Sequence, residues 1–328
     1  MKLHGFTKKQ LLDIYKKMAL SRYLDEKQLI LLKQGKGFFH IGASGHEAAQ
    51  LAAASVLKPS FDYAYPYYRE QAFCLGFGMT VKEHLLAFFA KEDDPSSGGR
   101  QMPQHFGHKD LNIVSQSSPT GTQYLQAVGT GSILKKEGNG AVVYVSSGEG
   151  TTSQGDFHEA LNWASREKSP VIFHIENNGY AISVPISQQT SGESVYDICA
   201  GYDSLSRYNV DGCNFFETSL AFKKAVERSR SGKGPSVIVS NVVRLLPHSS
   251  SDDQRKYRDK KDLEADKKRD PLDFFRRKCI RNGIAKDSDF DKILSESKKQ
   301  VDDETIWAEK QSNPEPKYWD RNIFSSNI

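Results

Sequence analysis

Three short runs of apolar, largely β-branched residues leave this chain few architectures: residues 141–145 (AVVYV), 171–175 (VIFHI) and 237–243 (VIVSNVV). None alternates with polar residues, so each reads as a strand covered on both faces rather than on one. Helical patterns at 157–166 and 215–230 fall between them. Buried strands alternating with helices predict an α/β fold, a doubly wound and mainly parallel sheet with helices on both faces. Around it, residues 7–34 read as a long amphipathic helix. Thr7 and Gln10 form a capping box, Leu11, Leu12, Ile14, Tyr15 and Met18 recur at helical spacing, and Gly35 and Gly37 close it. Shorter helices are expected at 46–56 and 81–90. Residues 93–118 form a loop too polar for core and too long for a connector, which marks it as functional or mobile. The expected organisation is an N-terminal helical segment (1–40), the α/β domain (41–260), and a C-terminal helical region ending in a contact tail (261–328). From Asn313 onward the chain reads as an extended arm, with Trp319 and Phe324 available to dock on a partner. No repeat of ~20–50 residues is present.

Composition removes several classes. At 328 residues and 38% hydrophobic content the chain can bury a substantial core, yet it has no apolar run near the ~18 residues a membrane span needs. A net charge of +4 is too mild to argue for nucleic acid. Residues 254–281 do hold twelve basic against six acidic side chains, but they lack a DNA-binding motif and read as a solvated, charge-laced helical surface. Cys74, Cys199, Cys213 and Cys279 are scattered without a CxxC pair, which disfavours a zinc site or disulfide framework and suits a reducing compartment. The N-terminus lacks a signal-peptide core and carries Asp13 early, so a cytoplasmic location is expected.

The chemistry concentrates in one stretch, AVVYVSSGEGTTSQGDFHEALNWASREKSPVIFHIENNGYAIS. One strand is expected to end at Ser146, followed by Gly148-Glu149-Gly150, a helix, a second strand, and Asn177-Asn178-Gly179-Tyr180. In open α/β sheets ligands bind beyond the carboxyl ends of strands, so these clusters can converge although 26 residues separate Gly150 from Asn177. The glycines beside Glu149 let backbone approach an anion closely. The Glu149 carboxylate, the Asn178 amide oxygen and the Tyr180 carbonyl are the hard oxygen donors Mg²⁺ or Ca²⁺ prefers. A nicotinamide site fits worse: GEGTTSQG lacks the GxGxxG spacing, and Glu176, near the position of a ribose ligand, belongs to the IENN run.

This array resembles the thiamine diphosphate motif, GDG followed some 25 residues later by NN, of the α subunits of 2-oxo acid dehydrogenase E1 components. Glu149 replaces the Asp of the general motif, and GEG is similar to the branched-chain 2-oxo acid dehydrogenase branch. Further segments carry the likeness. Tyr67-Tyr68-Arg69-Glu70 is similar to the family's YRE, Ser117-Ser118-Pro119-Thr120-Gly121-Thr122-Gln123 to SSPxATQ, and Arg244 to Arg258 to the mobile loop in which a His precedes a Ser, then SDD and YR. Pro247 stands where relatives carry another His, and Ser249 where mitochondrial relatives are phosphorylated. The resemblance implies that Tyr68, Arg69, Ser118, Thr120, Gly148, Glu149, Gly150, Thr151, Asn178, Tyr180, Ile182 and His248 contact thiamine diphosphate. It implies further that Glu149, Asn178 and Tyr180 hold Mg²⁺ and that His248 is the catalytic histidine. Ser117, Pro119, Thr122 and Gln123 would surround a potassium ion; capping of the following helix is compatible with this segment and explains Ser118 about equally well. His105 is read as lying near the site's mouth, His46 and Glu47 as a helix start with Glu47 on the dipole, and His158 as a helix-face residue. The implied activity is oxidative decarboxylation of a branched-chain 2-oxo acid, with acyl transfer to the lipoyl group of an E2 acyltransferase. No second cofactor-binding half is visible, so an E1 β subunit is expected in an α₂β₂ heterotetramer. The alternatives are a pyruvate or acetoin dehydrogenase α subunit and, from another class, a non-catalytic scaffold or basic nucleic-acid binder; neither nucleic acid nor membrane is the expected partner.

Overall fold

The computed structural model describes residues 2–320. Its centre is a five-stranded sheet: β1 (Tyr63–Tyr65), β2 (Val143–Gly148), β3 (Val171–Asn177), β4 (Ser206–Asp211) and β5 (Ser236–Asn241). The spatial order is β1-β2-β3-β5-β4 and every neighbouring pair is parallel. Alternation along the strands feeds two cores. Val143, Val145, Phe173, Ile175 and Val239 face α5 (Gln123–Glu137) and α6 (Gly155–Glu167), meeting Tyr124, Val128, Phe157 and Leu161. Tyr144, Ile172 and Ile238 face the other way, toward α2 (Glu47–Ala54), α3 (Gln71–Phe77) and α8 (Phe215–Arg230), meeting Leu51, Phe73 and Phe222. This is the doubly wound arrangement that uninterrupted apolar strands require.

The N-terminal helix α1 (Lys8–Lys33) starts at Thr7 with the expected capping box, and Gly35 takes a left-handed φ of +72° just past its end. It packs against α3 and, with α4 (Val81–Phe88) and α11 (Asp287–Glu309), encloses a third apolar cluster around Leu24, Leu85, Phe88 and Val301. The basic stretch becomes α9 (Lys260–Lys268) and α10 (Pro271–Arg281). Several of its cations are paired: Arg258 with Asp262 and Asp266, Lys267 with Glu264, Arg269 with Asp211, Arg276 with Asp287 and Asp291. No helix among the described residues is long and apolar enough to cross a membrane.

Two expectations need correction. The strand expected to stop at Ser146 runs to Gly148, which carries Glu149 to the rim of the sheet. The 93–118 loop is not excluded from the core: Phe106 and Ile113 are 3% exposed and join the α2–α8 side, anchoring a segment that is otherwise polar. Glu47 stands in the first turn of α2, as expected, and is fully buried there: it pairs with Arg22 at 2.8 Å and accepts the Gly45 N–H. In the tail, Trp319 is exposed, while Phe324 lies outside the described residues.

Candidate active site

Register places the site. Gly148 at the end of β2 lies opposite Glu176 near the end of β3, so the 3₁₀ turn Glu149–Ser153 and the turn at Asn178 emerge side by side from adjacent parallel strands. The Asn178 N–H donates to Glu149 Oε2 at 3.2 Å, and Asn178 Oδ1 accepts the Tyr180 N–H at 3.2 Å. Glu149 is 1% exposed, and its second oxygen, Oε1, has no hydrogen-bond partner among the described residues. Burial raises this carboxyl above its ordinary range, with its own backbone and the Asn178 N–H pulling it back. A buried carboxylate with one unpaired oxygen beside an amide oxygen is a donor set that suits a hard cation. Gly150 is required here for packing as well: a Cβ would stand 2.7 Å from that of Ala181.

A cavity of about 250 Å³ opens over these tips, lined by Tyr67, Tyr68, Arg69, Thr120, Gly148, Glu149, Gly150, Thr151, Asn178, Tyr180, Ala181, Ile182 and His248. Sequence reading named all of these but Tyr67 and Ala181. Ser118 is the exception in the other direction: it does not line the cavity, and its hydroxyl instead meets His105 Nε2 at 2.7 Å. The Ser117 and Thr122 hydroxyls bond each other and converge on the Pro119 carbonyl, at 3.4 and 3.2 Å. Gln123 does not join them; its oxygen accepts the Gly121 N–H at 3.1 Å and its amide donates to the Ser146 carbonyl at 3.1 Å. A larger groove of about 470 Å³ lies beyond Arg244, among Arg255, Arg258, Lys260 and Lys267. Arg255, Arg258 and Lys267 are already paired with acids, so the chemistry singles out the smaller cavity.

The His248 loop is clasped to the body of the protein. Leu245 N–H donates to the Ser44 carbonyl at 3.2 Å, Ser250 N–H to the His40 carbonyl at 2.8 Å, and His40 N–H to Ser250 Oγ at 3.2 Å. Gly45, at φ +102°, permits this approach, since a Cβ there would lie 2.1 Å from the Val243 carbonyl oxygen. Within the loop, Arg244 donates to the Tyr257 hydroxyl at 2.8 Å, Tyr257 donates to Asp252 at 2.5 Å, and Asp252 accepts the His248 N–H at 2.8 Å. Arg69 lies beneath. Its guanidinium donates to the Gly42 carbonyl at 2.5 Å and the His248 carbonyl at 3.3 Å, and stands 3.4 Å from His248 Nδ1. Because a guanidinium only donates, Nδ1 is the unprotonated nitrogen and Nε2 carries the proton. Burial first, then the Arg69 and Arg244 cations, push the His248 pKa down to about 4.

Under the cavity floor lies a polar cluster that sequence reading missed. Glu176, His174, Glu70, His46 and Gln50 are all fully buried. Burial, then the neighbouring Glu176 charge, drives the Glu70 carboxyl well above its ordinary range, while Glu176 accepts from His46, Gln50 and Tyr67. One signal was available: His174 and Glu176 are two ionisable residues on the same face of a strand whose other residues, before the terminal Asn177, are Val, Ile and Phe.

Comparison with known proteins adds a second line of observation. The family model described as "Dehydrogenase E1 component" matches residues 15–317. The chain is 42% identical to the 2-oxoisovalerate dehydrogenase subunit alpha of Bacillus subtilis (strain 168) over 305 residues, which is 93% of this chain and 92% of that protein. It is 33% identical to the pyruvate dehydrogenase E1 component subunit alpha of Staphylococcus aureus (strain Mu50) over 298 residues, 90% of this chain and 77% of that one. It is 34% identical to the mitochondrial 2-oxoisovalerate dehydrogenase subunit alpha 1 of Arabidopsis thaliana over 289 residues, 88% and 61% of the two chains.

Proposed function

The chain belongs to the dehydrogenase E1 component family as the α subunit of a 2-oxo acid dehydrogenase, and on that premise we propose that it acts on branched-chain 2-oxo acids with thiamine diphosphate and Mg²⁺. The observation that carries the cofactor assignment is the meeting of Glu149 with the Asn178 turn, leaving one buried carboxylate oxygen unpaired. Glu149, the Asn178 side-chain oxygen and the Tyr180 carbonyl would hold the metal. Arg69 would pair with the diphosphate, for which its unengaged Nε is available. Gly148, Gly150, Thr151 and Thr120 would border the diphosphate, and Tyr68 and Ile182 would wall the reacting end from water. Ser118 would reach it only by leaving His105. A potassium ion in the 117–123 loop would be held by Ser117, Pro119 and Thr122, with Gln123 joining after its amide turns.

When bound, the coenzyme supplies the carbanion-stabilising carbon that no side chain can provide. The chain's own part is to bind, orient and exclude water. Arg69, in contact with both His248 and the Gly42 carbonyl, ties the diphosphate end to the catalytic loop. His248 would present Nε2 at the cavity mouth, where the ring, once protonated in the loaded site, could donate a proton in the acyl-transfer step. All of these residues lie within 41–260, which we assign as the coenzyme-bearing unit. An E1 β subunit would complete each site in an α₂β₂ assembly, with the lipoyl group of E2 as acyl acceptor.

The branched-chain assignment is supported by the GEG sequence and by the 42% identity to a 2-oxoisovalerate dehydrogenase α subunit, against 33% to a pyruvate dehydrogenase α subunit. It is tested by CO₂ release from the purified αβ complex. The expected kcat/KM for 3-methyl-2-oxobutanoate exceeds that for pyruvate at least ~10-fold, a barrier difference of ~1.4 kcal/mol. Pyruvate turned over tenfold faster would overturn it in favour of a pyruvate dehydrogenase.

A further inference from the structure

We propose that Glu176 is a positioning residue which, with His46, Gln50 and Tyr67, holds the arginine loop and the asparagine turn of the cofactor cradle in register. The inference rests on the coenzyme reading above and concerns a buried cluster beneath the cavity, of which Tyr67 alone also lines it.

One atom, Glu176 Oε2, accepts from three side chains at once, two of them on α2 and its N-cap. Tyr67 donates its hydroxyl at 2.8 Å, Gln50 its amide at 3.1 Å, and His46 its Nδ1–H. Gln50 spans further: the same amide nitrogen donates to the Arg69 carbonyl at 2.9 Å, and its oxygen accepts the Ala72 N–H at 3.0 Å. Tyr67 is also pinned through its backbone, its N–H donating to Ser146 Oγ on β2 at 3.1 Å. Glu176 precedes Asn178 by two residues on β3, while Tyr67 and Arg69 flank Tyr68. A single carboxylate therefore fixes the spacing between the Arg69 side of the cradle and the Asn178 side. These groups are at most 2% exposed, so their charge-assisted bonds are not weakened by water. Affinity for a ligand held from two sides is sensitive to slack of well under an ångström in such supports.

The cluster is not a metal site in its own right. Ligand atoms of Glu70, His174 and Glu176 do lie within 4.8 Å of one another. The Tyr144 hydroxyl fills the gap, however, at 2.6 Å from Glu70 Oε1 and 2.8 Å from His174 Nδ1.

Tyr67→Phe tests the proposal, because it deletes one donor to Glu176 and keeps the ring that faces the cavity. The measurement is the melting temperature of the αβ complex titrated with thiamine diphosphate and Mg²⁺, from which the coenzyme Kd follows by linkage. The expected result is a Kd raised at least tenfold, with the coenzyme-induced rise in melting temperature correspondingly smaller at each concentration. A merely structural role would lower the melting temperature equally with and without coenzyme and leave Kd unchanged, and that result overturns the proposal. If the Tyr67→Phe complex does not assemble, Gln50→Met is read by the same criteria. A wild-type complex with no coenzyme-induced rise would overturn the coenzyme reading and this proposal with it; a wild-type rise that Tyr67→Phe retains in full would overturn the proposal alone.

Discussion

Glu149→Ala and Glu149→Gln are expected to abolish coenzyme binding by the αβ complex, a loss of at least ~100-fold in affinity or ~2.7 kcal/mol. The coenzyme-free complex should melt at the same temperature or higher. The two effects share one cause. Glu149 is 1% exposed, burial raises its carboxyl above the ordinary range, and Oε1 lacks a hydrogen-bond partner among the described residues. In the absence of a cation the carboxylate is a liability, because a buried charge without full compensation costs free energy. A divalent ion reverses the sign by supplying the missing partner. The substitutions thus remove a metal ligand and relieve a strain together, a trade of stability for function. Calorimetric titration with thiamine diphosphate and Mg²⁺, beside thermal melts, checks both halves. Full Mg²⁺-dependent binding by either variant would contradict the role assigned to Glu149.

The second large effect belongs to His248. His248→Ala should lower the overall rate of acyl transfer to lipoylated E2 by ~10²–10⁴-fold, the range spanned by general acid–base groups. Coenzyme affinity should fall less than tenfold, since Arg69 and Glu149 are untouched. The pKa of about 4 adds a pH signature. A histidine normally gains its proton near pH 6.5; here burial and two arginines oppose that, so the coenzyme-free ring stays neutral from pH 8 down to about 5. Bound diphosphate offsets the Arg69 and Arg244 charges, so loading should move the titration upward. Histidine-labelled NMR of the complex with and without coenzyme reads the shift. A free-state titration near 6.5, or a downward move on loading, would contradict the arrangement.

Much of this site was legible in the sequence because its parts sit at strand ends. Uninterrupted apolar strands declare a parallel sheet, and a parallel sheet places GEG and NN on the same rim, whatever the length of chain between them. The strands that escaped notice are the ones with weak signals: β1 is three residues long, and β4 (SRYNVD) is an edge strand whose residues are mostly half-buried. The Glu176 cluster was illegible for a different reason. It joins positions 46, 50, 67 and 176, and no local pattern reports a contact between residues 130 apart in the chain. For Ser118 and Gln123 the motif gives residue order and not rotamers: the Ser118 hydroxyl meets His105, and the Gln123 oxygen accepts the Gly121 N–H.

The central claim is that two adjacent strand tips grip one metal-bridged diphosphate. It is tested most directly by anomalous diffraction from crystals of the αβ complex grown with thiamine diphosphate and Mn²⁺ in place of Mg²⁺. The account predicts a metal peak ~2.0–2.3 Å from oxygens of both Glu149 and Asn178, between those residues and the diphosphate. A metal bound elsewhere, with Glu149 and Asn178 left unliganded while the coenzyme occupies the complex, would contradict it.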